Sequence, residues 1–164
     1  MNTSSPPALI VRKMIEDDRA KVAALAVSRD QLQFVDPMPL TLETTALERD
    51  NFIMETRTAI AGFFQIDTRT PEYVHQPLLE LCQVVIDQNQ QGRGLGKRFL
   101  QCLPELLKRE YPGASGVVLT VNCRNKLAYH VYCAGGFHDT GDIFTGGPSG
   151  PQHIMSMCWN AGVK

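Results

Sequence analysis

The chain has 164 residues, 43% of them apolar, which is one domain's length with enough apolar content for a sizeable core. Its formal net charge of −1 excludes a wholesale electrostatic grip on nucleic acid or a membrane surface, so an anionic ligand must be held by a local site. Five cysteines, an odd number with no C-x-x-C pair, argue against a disulfide framework or a zinc site and read as buried free thiols in a reducing, cytoplasmic setting.

Residues 1–8 read as a flexible leader to a single domain spanning 1–164, without the basic and apolar regions of a secretory signal. No apolar run approaches the roughly 18 residues of a membrane span. "ALIVRKM" (8–14) predicts a strand. "IEDDRAKVAALAVSR" (15–29) predicts a helix, with acids in its first turn and Ile15, Val22, Leu25 and Ala26 near one face. Residues 30–50 read as a loop with helical pieces, prolines at 37 and 39 and a short helical pattern from Leu42 to Leu47. "NFIMETR" (51–57) and "AIAGFFQIDT" (59–68) predict an antiparallel hairpin.

"PLLELCQVVID" (77–87) predicts a strand, and "GLGKRFLQCLPELLKREY" (94–111) a helix that Pro104 should kink. "VVLTVN" (117–122) is an apolar strand of the buried type. "RNKLAYHVYCAGG" (124–136) is a short helix ended by glycines. "FHDTGDIFTGG" (137–147) and "QHIMSMCW" (152–159) are the last strands, with "GGPSGPQ" a rigid turn between them. Strands on either side of the helix at 94–111 make a βαβ unit with a parallel pair. The expected fold is α/β, with a mixed, mostly antiparallel sheet.

The junction at 91–97, "QGRGLGK", places glycines where a strand runs into a helix. Such a junction offers bare N–H groups and a partial positive charge to an anion, most often phosphate. Two phosphate signatures fail. Gly96-Lys97 is followed by Arg98 with no glycine at 91, so there is no Walker loop. Lys97 and Phe99 stand where a dinucleotide fingerprint needs its third glycine.

What does match is Gln91-x-x-Gly94-x-Gly96, followed by "NKLAYHVYCAGGF", with Asn125, Ala128, Tyr132, Gly136 and Phe137 in register. These two patterns resemble the GNAT superfamily, the acetyl-CoA-dependent N-acetyltransferases, and the segment "SRDQLQFVDPMPL" (28–40) loosely resembles that of its bacterial small-molecule branch. The resemblance covers residues 78–140 well and the N-terminal half only in element order. Gln88 stands where the family often has proline.

The resemblance implies a sheet of about six or seven strands with about four helices. Its fourth and fifth strands are parallel and splay apart, and the backbone of Val84, Val85 and Ile86 would pair with the pantetheine arm of acetyl-CoA. The diphosphate would lie on Gln91, Gly92, Gly94, Leu95 and Gly96, with Arg93 and Lys97 nearby. Asn125 and Tyr132 share a helix face and would meet the same ligand.

Tyr132 matches the family's general acid, with Tyr129 as substitute and a strand N–H near 84–86 as the oxyanion donor. Glu80 is the candidate base through water, since it lies roughly 13 Å from Val84 at strand rise. Glu55 and Asp67 are weaker candidates, and an already neutral amine needs no base. His75, His130, His138 and His153 are scattered, so no metal is expected, and Cys133 reads as a packing residue. Phe34, Asp36, Asp142 and Phe144 would wall the acceptor, a small amine such as a diamine or polyamine. A peptide acetyltransferase and a silent acyl-CoA-binding module are the alternatives, and a homodimer is the expected assembly.

Overall fold

The computed structural model describes residues 8–35, 37–43 and 47–159. Almost all of the expected leader, Asp36, residues 44–46 of the expected Leu42–Leu47 helix and the C-terminal five residues lie outside that description. Apolar alternation builds a seven-stranded sheet in the order β1-β2-β3-β4-β5-β7-β6. β1 (Ile10–Lys13), β2 (Arg49–Glu55), β3 (Ile60–Asp67) and β4 (Leu79–Ile86) form an antiparallel meander. The helix α4 (Leu95–Glu110) then carries the chain over to β5 (Gly116–Asn122), which is parallel to β4. After α5 (Lys126–Ala134), β6 (His138–Phe144) takes the edge, and β7 (Gln152–Cys158) inserts between it and β5. The mixed sheet, its parallel pair and the βαβ unit are as the sequence predicts.

The core follows the strand periodicity. Phe52, Met54, Phe64 and Ile66 face one side with Leu79 and Leu81, where Phe99, Leu103 and Leu107 of α4 cover them. Phe52 and Phe64 are register partners, and their rings stack at 5.0 Å. Ile53, Phe63 and Val85 face the other side, under Val22, Leu25, Met38 and Leu42. α4 runs unbroken through Pro104, whose missing N–H costs it one internal bond, and its other face meets water. α5 packs against α4 so closely that a Cβ on Gly135 would lie 2.8 Å from Leu100 Cβ. Gly135→Ala is therefore expected to cost about 1–3 kcal/mol of stability, read as a lower urea midpoint.

The first predicted helix is corrected. A 3₁₀ turn at Glu16–Asp18 leads into α1 (Arg19–Ala23), and the helix stops there rather than at residue 29. Asp18 fixes its start, accepting from Arg12 at 2.8 and 3.0 Å and from the Ile15 N–H at 2.9 Å. Beyond Ala24 the backbone bonds to the end of β4 instead: Ala26 N–H to Asp87 Oδ1 at 3.0 Å, and Gln88 N–H to the Ala26 carbonyl at 2.7 Å. Helical patterning of the side chains loses to these long-range partners. α2 (Arg29–Leu32) and α3 (Met38–Glu43) follow, with Pro39 in the first turn of α3, where its lack of an N–H does no harm. The thiols are corrected too: Cys82, Cys102 and Cys123 are half-buried, while Cys133 and Cys158 are exposed.

At the end of β3, Asp67 is buried and accepts from Arg69 at 2.7 Å and Arg49 at 3.1 Å. The Arg69 bond, with Arg49 helping against the cost of burial, lowers its pKa to about 2. An ordinary aspartate titrates near 3.9, so this stabilisation is present above about pH 4 and is lost as pH falls toward 2. Asp67→Asn is expected to cost about 2 kcal/mol at pH 7 and progressively less below pH 4, measured as urea midpoints across pH.

Candidate active site

β4 carries one irregular residue that decides where the site lies. Gln83 has φ +50°, and the register with β3 slips by one between Phe63 and Gln65. This bulge switches faces. Leu79 and Leu81 point to the α4 side before it, and Val84 and Ile86 do so after it, while Val85 turns to the opposite core. β4 and β5 pair only at Leu79↔Val117 and Glu80↔Val118, so past that point the strands separate. The Asp87 N–H bonds to Ala61 on β3, and strand alternation therefore turns the backbone of Ile86 and Val84 toward the gap.

The glycines begin where β4 ends. Gly92 and Gly94 both have φ +76°, a conformation that favours glycine, and a Cβ on either would meet open space. Gly94 caps α4, so the N–H groups of that helix's first turn face outward without side-chain caps. Gly96 has a different reason: a Cβ there would sit at ordinary contact, 3.6 Å from Ile86 and 3.7 Å from Val131. Gln91 Nε2 donates to the Ile86 carbonyl at 2.9 Å and to Gln31 Oε1 at 2.9 Å, tying the loop to β4 and to α2.

The second motif is a pair of helix caps. Asn125 Oδ1 accepts from the Ala128 N–H at 3.2 Å and starts α5, which leaves its amide nitrogen without a partner among the described residues. At the other end, Gly136 has φ +103° and donates to Cys133, while the Phe137 N–H donates to the Tyr132 carbonyl at 3.0 Å. This is a Schellman cap, and its usual apolar contact is Phe137 against the Tyr132 ring at 5.6 Å. At that spacing Tyr132, Gly136 and Phe137 together end the helix and hold the tyrosine ring.

Two cavities meet at this tyrosine. The larger, about 670 Å³, runs between α4 and α5 and over the end of β4. Its wall includes the predicted Val84, Val85 and Ile86, then Gln91, Gly92, Gly94, Leu95, Gly96 and Lys97, and also Asn125 and Tyr132. Arg93 is not on that wall; it is exposed and donates to Gln90 Oε1 at 2.6 Å. The sequence reading missed Gln31, Leu127 and Val131 on the same wall. Leu127 and Val131, both exposed on α5 four residues apart, were the available signal, because a core helix would cover them.

The smaller cavity, about 170 Å³, lies in the strand gap and is lined by Gln83, Thr120, Asn122 and Gln152 together with Phe34 and Tyr132. Asn125, Ala128, Val84 and Val35 also line both spaces. No described residue accepts from or donates to the Tyr132 hydroxyl, and burial pushes its pKa above the ordinary tyrosine value. Tyr129 lines neither cavity and donates to Asp139 at 3.0 Å.

The remaining expected site residues are not brought together with these. Glu80 lines neither cavity. It lies before the bulge on the sheet face opposite α4, the face of its register partner Val118, where Tyr73 donates to it at 3.1 Å and the Cys82 thiol at 3.3 Å. Asp67, held at low pKa by two arginines, is a poor proton acceptor. Asp142 is exposed on β6, and Phe144 packs on Tyr73 at 5.1 Å; neither lines either cavity. Asp36 lies outside the described residues. The segments expected to hold the acceptor contribute Phe34, Val35, Ser149 and Gln152 to the wall of the smaller cavity.

Comparison with known proteins agrees with this fold. The structure of AAC(6')-Ib in complex with ribostamycin and coenzyme A is 20% identical, with a TM-score of 0.74 over 92% of this chain and 93% of that one. Spermidine N-acetyltransferase from Vibrio cholerae, in complex with CoA and spermine, is 19% identical, with a TM-score of 0.67 over 92% of this chain and 95% of that one. At such identities the likeness shows the fold. No curated protein matches the sequence. The family model described as acetyltransferase (GNAT) family matches residues 14–137, a span that holds the bulged strand, the glycine turn and the capped helix. The chain belongs to the GNAT acetyltransferase family.

Proposed function

We propose that this enzyme moves the acetyl group of acetyl-CoA to the primary amine of a small molecule by direct attack within a ternary complex. The observation that carries the reading is the junction: Tyr132, Val84 and Asn125 line both the large cavity and the strand gap. A donor on one side and an acceptor on the other meet under a single hydroxyl.

The fit to coenzyme A rests on this chain's own groups. The outward N–H groups of the α4 N-terminus, with Gly92 and Gly94 keeping side chains away, suit a diphosphate, and Lys97 on the same wall adds charge. The gap-facing backbone of Val84 and Ile86 suits an extended amide chain, although Gln91 already occupies the Ile86 carbonyl. The apolar wall of Leu127 and Val131 suits the rest of the arm.

Bound acetyl-CoA supplies the thioester. The amine nitrogen forms the new C–N bond as the C–S bond breaks, and the amine's proton balances the one the thiolate takes up. A gap-facing N–H of β4 stabilises the charge that develops on the carbonyl oxygen. Tyr132 stays protonated at neutral pH and donates to the departing sulfur. Glu80 reaches the amine only through intervening water, so the amine arrives neutral or loses its proton to solvent.

Thiol release from acetyl-CoA across a panel of amines and peptides tests the reading. Amine-dependent release of one thiol per acetyl group transferred is expected. Tight acetyl-CoA binding with no turnover on any amine or peptide would instead make this a silent binding module. Among the described residues no helix is long and apolar enough to cross a membrane. The homodimer expected from the family resemblance is tested by sedimentation equilibrium, in which a constant monomer mass would end it.

A further inference from the structure

The strand-gap cavity differs in character from what a polyamine or an aminoglycoside would need. At about 170 Å³ it is well below the roughly 300 Å³ at which drug-sized ligands begin to fit. Its polar wall is made of neutral amides and hydroxyls, Gln83, Thr120, Asn122, Asn125, Ser149 and Gln152, and no described lining residue carries a carboxylate. A polycation desolvated there would find no counter-charge on the described wall, which is costly.

The charge at the rim has the opposite sign. Arg124 lies between β5 and α5 and touches three wall residues. Its Nε donates to Asn122 Oδ1 at 3.4 Å, its Nη2 donates to the Ser149 carbonyl at 3.1 Å, and its guanidinium lies 5.9 Å from the Phe34 ring. Nη1 has no partner among the described residues, and Arg124 forms no ion pair with any of them. Asn122 Nδ2 donates to the same Ser149 carbonyl at 2.8 Å, and Ser149 Oγ to the Gln33 carbonyl at 3.3 Å. The guanidinium is thus fixed in place by the two acceptor-side loops, with one edge free. A planar fork held beside a small neutral pocket is suited to a carboxylate.

We propose that the acceptor is an amine that also carries a carboxylate, a molecule of amino-acid size, and that Arg124 reads its carboxylate at the rim while the amine enters the gap beneath Tyr132. The proposal rests on the acetyl-transfer reading above and replaces the diamine or polyamine expected from the sequence. Arg124 selects the acceptor, and the chemistry stays with Tyr132.

The test measures kcat/KM at saturating acetyl-CoA for free L-amino acids, for their α-amides, and for the amines that lack the carboxyl group, with spermidine and kanamycin alongside. At least one free amino acid should exceed its own amide and its decarboxylated amine by tenfold or more, mainly through KM. Arg124→Gln should bring that ratio close to one, and Arg124→Lys, which keeps the charge but loses the fork, should fall between. Acetyl-CoA binding by calorimetry reports whether each variant is folded, since Arg124 is not on the coenzyme wall. Preference for the amide, the decarboxylated amine, spermidine or kanamycin overturns the proposal. An equal loss on acid and amide in Arg124→Gln, or no amino-acid turnover while acetyl-CoA binds, does the same. Failure to bind acetyl-CoA at all is a different result: it removes the acetyl-transfer reading itself.

Discussion

Tyr132→Phe is expected to lower kcat by roughly 10²- to 10⁴-fold, the range for loss of a positioned acid, with acetyl-CoA affinity close to the parent's. The substitution removes only an oxygen. The ring stays against Phe137, and the Schellman cap uses the Tyr132 carbonyl, which the variant keeps. The hydroxyl has no described protein partner, so its loss orphans no buried group, and the fold should hold. Burial keeps this phenol protonated beyond the ordinary value near 10, whereas a thiol titrates near 8.5. The parent's kcat should therefore show no falling limb from Tyr132 below about pH 10, and activity should rise with pH as the amine loses its proton. Steady-state kinetics from pH 6 to 10 check both points. A variant whose kcat stays within twofold would sink the acid role, and Tyr129 could not inherit it, since its hydroxyl is spent on Asp139 and lies on neither cavity.

Gly94→Glu is expected to abolish acetyl-CoA binding and leave the fold in place. Gly94 holds φ +76° at the start of α4, so any side chain there costs about 1 kcal/mol in the backbone. Open space around its Cβ means there is no clash to add. A carboxylate at a helix N-terminus is itself favourable, which offsets the strain. The same carboxylate, however, stands in the site proposed for the diphosphate. One like-charge contact at about 4 Å costs on the order of 4 kcal/mol near a protein surface, or roughly three orders of magnitude in Kd. Gly96→Ala is the contrasting variant: its Cβ fits at ordinary contact and lies within the helix, so affinity should be nearly retained. Calorimetry on the two variants, with circular dichroism for the fold, separates a phosphate cradle from a tolerant turn. Unchanged affinity in Gly94→Glu would remove the diphosphate from this loop.

Both variants lie in the part of the chain whose sequence is most legible. The glycine turn and the helix at 125–137 are local devices. Positive φ, helix caps and a C-terminal apolar contact depend on residues within about a dozen positions of one another, so their spacing in the sequence is their spacing in space. The same holds for the hairpin at 49–67 and for α4, whose apolar residues recur at helical period. The acceptor side was less legible, because Phe34, Ser149 and Gln152 come from segments more than a hundred residues apart, and nothing local marks them as neighbours.

Sequence alone determined the mixed sheet, the parallel strand pair and the glycine turn, since each follows from periodicity or backbone freedom within a short run, whereas Tyr132 was singled out by the family resemblance. Tertiary structure decided what long-range bonds control. The first helix ends at Ala23 because the residues after it bond to the end of β4 rather than to their own turn. The bulge at Gln83 puts Glu80 and Val84 on opposite faces of the sheet, and β4 and β5 stop pairing beyond Glu80 and Val118. Only the closing of two distant loops over that gap, with Arg124 fixed between Asn122, Ser149 and Phe34, gives its rim a positive charge. A one-residue slip in a strand or a side chain reaching across loops leaves no period in the sequence, because its partners are chosen by packing and not by spacing.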